Sequence, residues 1–102
     1  MKNRLFAFEK KLAATNSSQI VLSGMDITDE EIPDLLPLFS RKQNINLINL
    51  SHNKITSKGA TMIANECRGL KSLQVIDMQS NNIDAEGAKA LWQLCDNIPG
   101  LR

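Results

Sequence analysis

The residues of this chain whose types suit catalysis or metal binding are one histidine, two cysteines and a cluster of carboxylates. His52 has no cysteine or aspartate at a spacing that would complete a metal site or a nucleophile–base pair, so we expect a solvated or recognition-surface histidine. Cys67 and Cys95 lie one repeat apart at the same apolar helical position, and we expect both to be buried free thiols. The sequence therefore predicts no catalytic residue and no cofactor.

The carboxylates are concentrated in the segment 26–34. A calcium-binding EF-hand loop needs a glycine and a terminal glutamate, and neither is present at the required spacing. Thr28-x-x-Glu31 has the spacing of a helix capping box, and carboxylates in a first helical turn interact favourably with the helix dipole. We expect an exposed acidic helix start and no metal site in this cluster, which comprises Asp26, Asp29, Glu30, Glu31 and Asp34.

Composition excludes several classes of protein. At 102 residues and 11.3 kDa, with 42% hydrophobic and 23% charged residues, the chain is one small globular domain. A formal charge of +1 provides no excess of cations for a nucleic-acid backbone, and no apolar run is long enough for membrane insertion. Glu9, Lys10 and Lys11 interrupt any signal-peptide core, so a cytoplasmic location is predicted.

The elements that would position any site follow from an internal repeat. Three segments, 17–44, 45–72 and 73–100, align without gaps at a period of 28 residues. An ordinary small α/β domain with a fortuitous repeat is the alternative. The apolar residues that recur in register are Ile20, Ile48 and Ile76, then Leu22, Leu50 and Met78, then Ile27, Ile55 and Ile83.

Each repeat divides into a strand half and a helix half. Apolar residues alternate in the first half, which predicts parallel strands near 19–23, 47–51 and 75–79. They follow helical spacing in the second half, which predicts helices near 29–40, 57–68 and 85–96. Thr28, Thr56 and Asp84 stand where helix N-caps are needed.

These residues resemble the leucine-rich repeat family, in its ribonuclease-inhibitor-like class of 28-residue repeats. The motif L-x-x-L-x-L-x-x-N-x-L is matched from Ile45 to Ile55 and again from Leu73 to Ile83. The resemblance implies an α/β solenoid of three right-handed strand–helix repeats with parallel strands on its concave face. It is specific for fold and weak for function, since the same fold serves many roles.

Four residues of the motif have predicted structural roles. Asn53 and Asn81 are expected to bond backbone groups where strand turns into loop, and stacked copies would form a ladder. Gly59 and Gly87 fall in a first helical turn, where we expect close approach of a neighbouring backbone. Repeat one departs from the pattern because it has Met25 and Glu31 at these two positions, as the terminal repeats of solenoids often do.

The two ends of the array are predicted to differ. Residues 1–16 are expected to form a capping helix over the first repeat of the solenoid 17–102, a loose amphipathic tail being the alternative. Leu101 is expected at the first position of a fourth repeat, which leaves the strand of repeat three as an exposed edge. Trp92 is expected either to cap that end or to contact another chain, so homo-oligomerisation through this C-terminal edge stays open. The cap side chains are Leu5, Phe6, Phe8 and Leu12.

The concave strand face is the candidate binding surface. It is mixed, mildly apolar and nearly neutral, which suits a protein partner better than a polyanion. The alternative is that its apolar members are strand-forming residues without a partner. The predicted partner-binding residues are Gln19, Val21, Ser23, Leu47, Asn49, Ser51, His52, Val75, Asp77 and Gln79.

Two function classes follow from the resemblance. The first is a non-catalytic protein-interaction module. A short chain that begins with Met and has no sensor domain looks most like the effectors that bacterial pathogens deliver into host cells. The second is a modulator of another enzyme, such as a GTPase activator or an enzyme inhibitor. No loop carries an arginine in a matching context for GTPase activation, so the first class is preferred and the chain is not expected to be an enzyme.

Overall fold

The computed structural model of the chain describes residues 4–14, 18–42, 44–94 and 100–101. A helix is followed by three strand–helix units and a fourth strand. A single 3-10 turn, Asp29–Glu31, precedes the second helix. The helices are α1 (Leu5–Ala13), α2 (Ile32–Ser40), α3 (Ser57–Cys67) and α4 (Ala85–Leu94), and the strands are β1 (Gln19–Val21), β2 (Leu47–Asn49), β3 (Val75–Asp77) and β4 (Gly100–Leu101).

The strands form one parallel sheet in the order β1-β2-β3-β4. Ile20 lies opposite Ile48 and Ile48 opposite Ile76, so the register advances by one 28-residue repeat per strand, as predicted. The strands are three residues long where five were predicted. Bonding between repeats nevertheless continues past them, because Leu22 N donates to Asn49 O at 2.9 Å and Gly24 N donates to Ser51 O at 3.0 Å.

The third strand is not the uncovered edge that the repeat pattern predicted. β4 pairs with β3 and places Gly100 opposite Val75, 25 positions along the chain, and Leu101 opposite Ile76. The prediction that put Leu101 at the first position of a fourth repeat assumed a further full period and is wrong. The fourth strand arrives three residues early, so its second residue already stands level with the central isoleucine of β3.

A single core runs between the sheet and the helices. The central isoleucine of each of the first three strands is fully buried, because alternate strand residues point towards the helical layer. Ile63 and Ala64 of α3 are fully buried on the other side of that core. None of the helices in the described part of the chain is long and apolar enough to cross a bilayer.

Helix α1 packs on β1 and α2, on the N-terminal side of the array. Phe8 and Leu12 are buried in the common core, and Leu5 is partly buried against it. Phe6 is 79% exposed and does not join them. It was expected among the cap side chains, but it lies one position off the face that Leu5, Phe8 and Leu12 share at helical spacing.

Polar contacts fasten α1 to the first repeat. Arg4 donates two hydrogen bonds to the carboxylate of Glu31, from Nε and Nη2, each at 2.7 Å. The hydrogen bond to Glu31 raises the pKa of Arg4. The Arg4 guanidinium also lies 5.1 Å from the ring centre of Phe8. Glu31 stands where later repeats have glycine, and its side chain contacts the terminal helix where those glycines face a preceding repeat.

Candidate functional site

The outward residues of the first three strands form rows across the concave face. The register aligns Gln19, Leu47 and Val75 in one row. It aligns Val21, Asn49 and Asp77 in the next, and all of these residues are half-buried. The two rows have the alignment predicted from the sequence. They present a continuous surface with one carboxylate and no cation.

Some polar groups of this face already take part in hydrogen bonds with residues two positions along the chain. Asn49 Oδ1 accepts from Ser51 N at 3.0 Å and from Ser51 Oγ at 2.6 Å. In the next repeat Asp77 Oδ1 accepts from Gln79 N at 3.1 Å. Ser51 is only 6% exposed, so it does not belong on the accessible surface where the sequence predicted it. Binding of a partner by the other predicted residues stays a prediction.

A left-handed turn recurs directly after the strands, at the rim of the concave face. Gly24, His52 and Ser80 stand at the same position of successive repeats and have φ of 66°, 57° and 59°. The left-handed region is strained for residues other than glycine, so the surrounding repeat holds His52 and Ser80 in it. His52 is exposed, in agreement with the surface role expected for it. The recurrence was missed in the sequence, where Gly24 alone signalled it.

The predicted asparagine ladder is present, and its first rung is Asn53. Asn53 Oδ1 accepts from the backbone N–H groups of Met25 and Ile27, both at 3.0 Å. Asn53 Nδ2 donates to Leu22 O at 3.0 Å and to Leu50 O at 2.9 Å. Because the side chain is 7% exposed, these bonds satisfy backbone groups that water does not reach.

Asn81 is the second rung and repeats the pattern one period later. Asn81 Oδ1 accepts from Ile55 N at 3.0 Å, and Asn81 Nδ2 donates to Leu50 O at 2.9 Å. Each rung therefore joins its own repeat to the preceding one. Met25 stands at the ladder position of repeat one and contributes only its backbone N–H, to Asn53.

The two glycines of the motif make room for side chains. A Cβ built on Gly59 would collide with the carboxylate Oδ1 of Asp29, and one built on Gly87 would lie 2.5 Å from Ser57 Oγ. Close approach was predicted correctly, but the neighbouring group is a polar side chain of the preceding repeat and not its backbone. The glycines therefore mark two polar bridges between repeats.

The first bridge joins the acidic helix start of repeat one to α3. Asp29 Oδ1 accepts from Thr56 N at 2.8 Å and from Gly59 N at 3.1 Å, and the Thr56 hydroxyl also bonds Asp29 Oδ2. Asp29 thereby satisfies N–H groups that the start of α3 leaves unpaired. This role accounts for one of the clustered carboxylates.

The second bridge reverses the polarity of the first. Ser57 Oγ and Asp84 Oδ1 lie 2.5 Å apart, and Asp84 Oδ1 also accepts from Gly87 N at 3.1 Å. The carboxylate now belongs to the later repeat and the hydroxyl to the earlier one. Hydrogen bonds from the Ser57 hydroxyl and from the Gly87 N–H lower the pKa of Asp84.

The described residues bring no set of metal ligands together. No group of three or more His, Cys, Asp or Glu side chains in that part of the chain is arranged to hold a metal ion. Cys67 is buried and is not part of a disulfide bond, as predicted. The matching prediction for Cys95 lies outside the described residues.

The C-terminal face of the array is formed by α4. Trp92 is 62% exposed, whereas Ala64, one repeat earlier, is fully buried. Ile83 and Ala88 are half-buried, while the matching Ile55 is fully buried. No described residue therefore encloses the tryptophan. Capping of this end by Trp92 and its contact with another chain both stay predictions.

Comparisons with known proteins agree with this architecture. A family model described as Leucine Rich repeat matches residues 42–64 and 69–91. RAN GTPase-activating protein 2 of Arabidopsis thaliana is 37% identical over 83 residues, which cover 79% of this chain. This chain spans only 15% of that relative's length. The solved structure of Leiomodin-1 Actin-Binding Site 2 (ABS2) superposes on 97% of this chain and 57% of its own, with a TM-score of 0.72 at 17% identity, a likeness of fold.

Proposed function

This chain belongs to the leucine-rich repeat family, and from that premise we propose that it is a non-catalytic interaction module that binds a protein partner on its concave strand face. The observation that carries the proposal is the alignment of half-exposed side chains in rows across parallel strands. A surface of this kind buries apolar groups at its centre and offers polar groups around them, which is the usual anatomy of a protein interface.

Leu47 and Val75 are the centre of the proposed contact. They are adjacent in one row, and the next row places Asn49 and Asp77 beside them. Asp77 uses one carboxylate oxygen in a turn and has the other for a partner's donors. Asn49 Oδ1 already accepts two hydrogen bonds from Ser51, so Asn49 offers a partner its amide N–H groups as donors. The single carboxylate disfavours a polyanion here and favours a neutral or mildly basic protein surface.

The test is an affinity pull-down from cytosol, analysed by mass spectrometry. The unmodified chain is compared with the double variant Leu47→Thr/Val75→Thr, in which threonine keeps the strand propensity of the sites and removes their apolar area. The matched control is Lys89→Ser on exposed α4. We expect the same proteins with the unmodified chain and the control, and their loss with the double variant. Equal recovery by all three would contradict the concave-face proposal.

A second candidate function is favoured by one comparison. The relative that is 37% identical is named a RAN GTPase-activating protein. The second candidate function is therefore modulation of a small GTPase. A nucleotide-hydrolysis assay across purified small GTPases, Ran among them, separates the two candidates. Stimulated hydrolysis would support the second, and binding without stimulation would support the interaction module.

The narrower assignment to bacterial effectors has no support in the comparisons. The matched relative is a plant protein, and the structural neighbour shows the fold alone. The interaction module is therefore proposed without reference to a source or to delivery into a host.

A further inference from the structure

A groove lies at the edge of the solenoid where helices end and strands begin, away from the left-handed turns of the opposite rim. Its volume is about 420 Å³, and it is bounded by the connection from α2 to β2 and the connection from α3 to β3. We call it the helix-end groove. Its lining residues are Phe39, Lys42, Asn44, Ile45, Glu66, Gly69, Leu70, Lys71 and Ser72.

The groove has an apolar floor and a polar rim. Phe39 and Ile45 are buried beneath it, and the half-buried Leu70 exposes apolar area to it. Lys71 is exposed on one side, and Lys42 is half-buried on the other. Burial of Lys42 lowers its pKa, because desolvation disfavours the charged form. The groove therefore offers one apolar contact, at Leu70, between the side chains of Lys42 and Lys71.

Further cations continue this edge on both sides of the groove. Lys42 Nζ donates to Leu12 O at 3.1 Å, which brings the last turn of α1, with Lys10 and Lys11, beside the groove. Arg68 caps the C-terminus of α3, next to the groove residue Gly69. Glu66 is the only carboxylate among the groove residues.

Helix dipoles explain part of this charge distribution and not all of it. Cations near helix C-termini interact favourably with the partial negative charge there, so Arg68 has a structural reason to stand at the end of α3. Lys71 lies beyond the last helical turn, where the dipole effect has decayed, and its side chain is exposed. Lys71 is therefore the cation with the weakest structural explanation and the best access to a ligand.

We propose that the helix-end groove is a second binding surface, which takes an acidic peptide segment of a protein partner, with an apolar side chain against Leu70 and carboxylates at Lys42 and Lys71. Charge complementarity selects the acidic partner, and the small apolar floor selects a peptide over a nucleic acid. The one aromatic side chain of the groove, Phe39, is fully buried and offers no face on which a base could stack. The surface is separate from the concave face and does not depend on the function proposed for it.

The experiment pans a random twelve-residue peptide library, displayed on phage, against the immobilised chain. We expect enriched sequences to combine Asp or Glu with Leu, Ile or Phe. A synthetic peptide of the enriched sequence should shift the amide resonances of Gly69, Leu70 and Ser72 in NMR spectra. Lys71→Glu should weaken its binding by about tenfold or more, since reversing one interfacial charge removes an attraction and adds a repulsion.

Two variants and one competitor make the result decisive. Lys89→Glu on α4 changes the net charge equally and should leave the affinity unchanged. Leu70→Ser should weaken binding while keeping every charge. Enrichment of neutral or basic peptides, resonance shifts confined to the concave strands, or equal losses with Lys71→Glu and Lys89→Glu would each overturn the proposal. So would equally tight binding of a twelve-nucleotide single-stranded RNA, because it would reduce the site to a general attraction for anions.

Discussion

Repeats two and three have nearly the same pattern and very different surroundings. Ile55 of repeat two is fully buried, while its counterpart Ile83 is only half-buried. The contrast is greatest between Ala64, which is fully buried, and Trp92, which is 62% exposed. Repeat two has a helical neighbour on both sides, and α4 packs on α3 alone among the described helices.

The contrast teaches that burial in this fold depends on the neighbouring repeat as much as on residue type. The asparagines illustrate it, because Asn53 is buried and its equivalent Asn81 is half-buried although both make the same kinds of bond. Solenoid stability is approximately a sum of repeat and interface contributions, so identical substitutions in the two repeats should have unequal costs.

The largest expected difference concerns the isoleucines that follow the ladder. Ile55→Ala should lower the free energy of unfolding by about 2–5 kcal/mol, because it leaves a cavity in a closed core. Ile83→Ala should cost about half as much, since that side chain already meets solvent. Urea unfolding followed by circular dichroism measures both. Equal losses would show that the third repeat is as enclosed as the second.

The two ladder asparagines should also differ in their contribution to stability, with smaller losses than the isoleucines. Asn53→Ala should cost about 1–3 kcal/mol, because buried backbone groups lose their partners. Asn81→Ala should cost less, because Asn81 is half-buried and solvent can enter the space that its side chain leaves. The control is Asn65→Ala on the exposed side of α3, which we expect to be neutral. An unchanged urea midpoint for Asn53→Ala would refute the structural role of the ladder.

The Ser57–Asp84 bridge should make stability depend on pH in the acid range. The pKa of Asp84 is depressed below its ordinary value of 3.8, so the bridge contributes stability at higher pH and loses it as the pH falls through the folded-state pKa. Asp84→Asn should flatten the fall in stability below about pH 4. The exposed carboxylate variant Asp34→Asn is the control. An unaltered acid limb in thermal unfolding would show that the Ser57–Asp84 bridge adds no pH-dependent stability.

The smallest effect is expected at the open face. Trp92→Ala should change the free energy of unfolding by about 0.5 kcal/mol or less, because the side chain is largely solvated. Trp92 is the sole tryptophan, so its fluorescence reports this face directly. We expect emission typical of exposed indole and efficient quenching by acrylamide. Blue-shifted emission at low protein concentration would indicate that the chain covers its own end.

The sequence was sufficient for most of the fold because the period is encoded in every repeat. Strand pairing, register and the ladder all follow from residues that recur at 28-residue spacing, such as Ile48 and Asn53. The prediction of strand register failed at the fourth strand, where the 28-residue period is not kept. β4 pairs three residues early, and nothing in the recurring pattern signalled the shorter connection.

The concave rows were predictable for the same reason, whereas individual accessibility was not. Alternation places Ser51 on the outer face, but its hydroxyl turns back to Asn49 and is buried. The bridges at Gly59 and Gly87 escaped prediction because residue types change across the repeats, with aspartate first on one side of the interface and then on the other. A search for residues that recur at each repeat does not find a pair in which the carboxylate and the hydroxyl change places between repeats.

Contacts between consecutive repeats also determine how the molecule comes apart. β2 lies between two three-residue strands, β1 and β3, whereas the outer neighbour of β3 is the two-residue strand β4. The described side-chain bonds between repeats join each repeat to the next. Opening can therefore begin at an end and leave the remaining repeats paired, as in a one-dimensional array. Amide hydrogens of residues 73–79 should then exchange with solvent sooner than those of residues 45–51. Unfolding should therefore proceed from the end of the array that carries Trp92 towards α1, which Arg4 attaches to the first repeat.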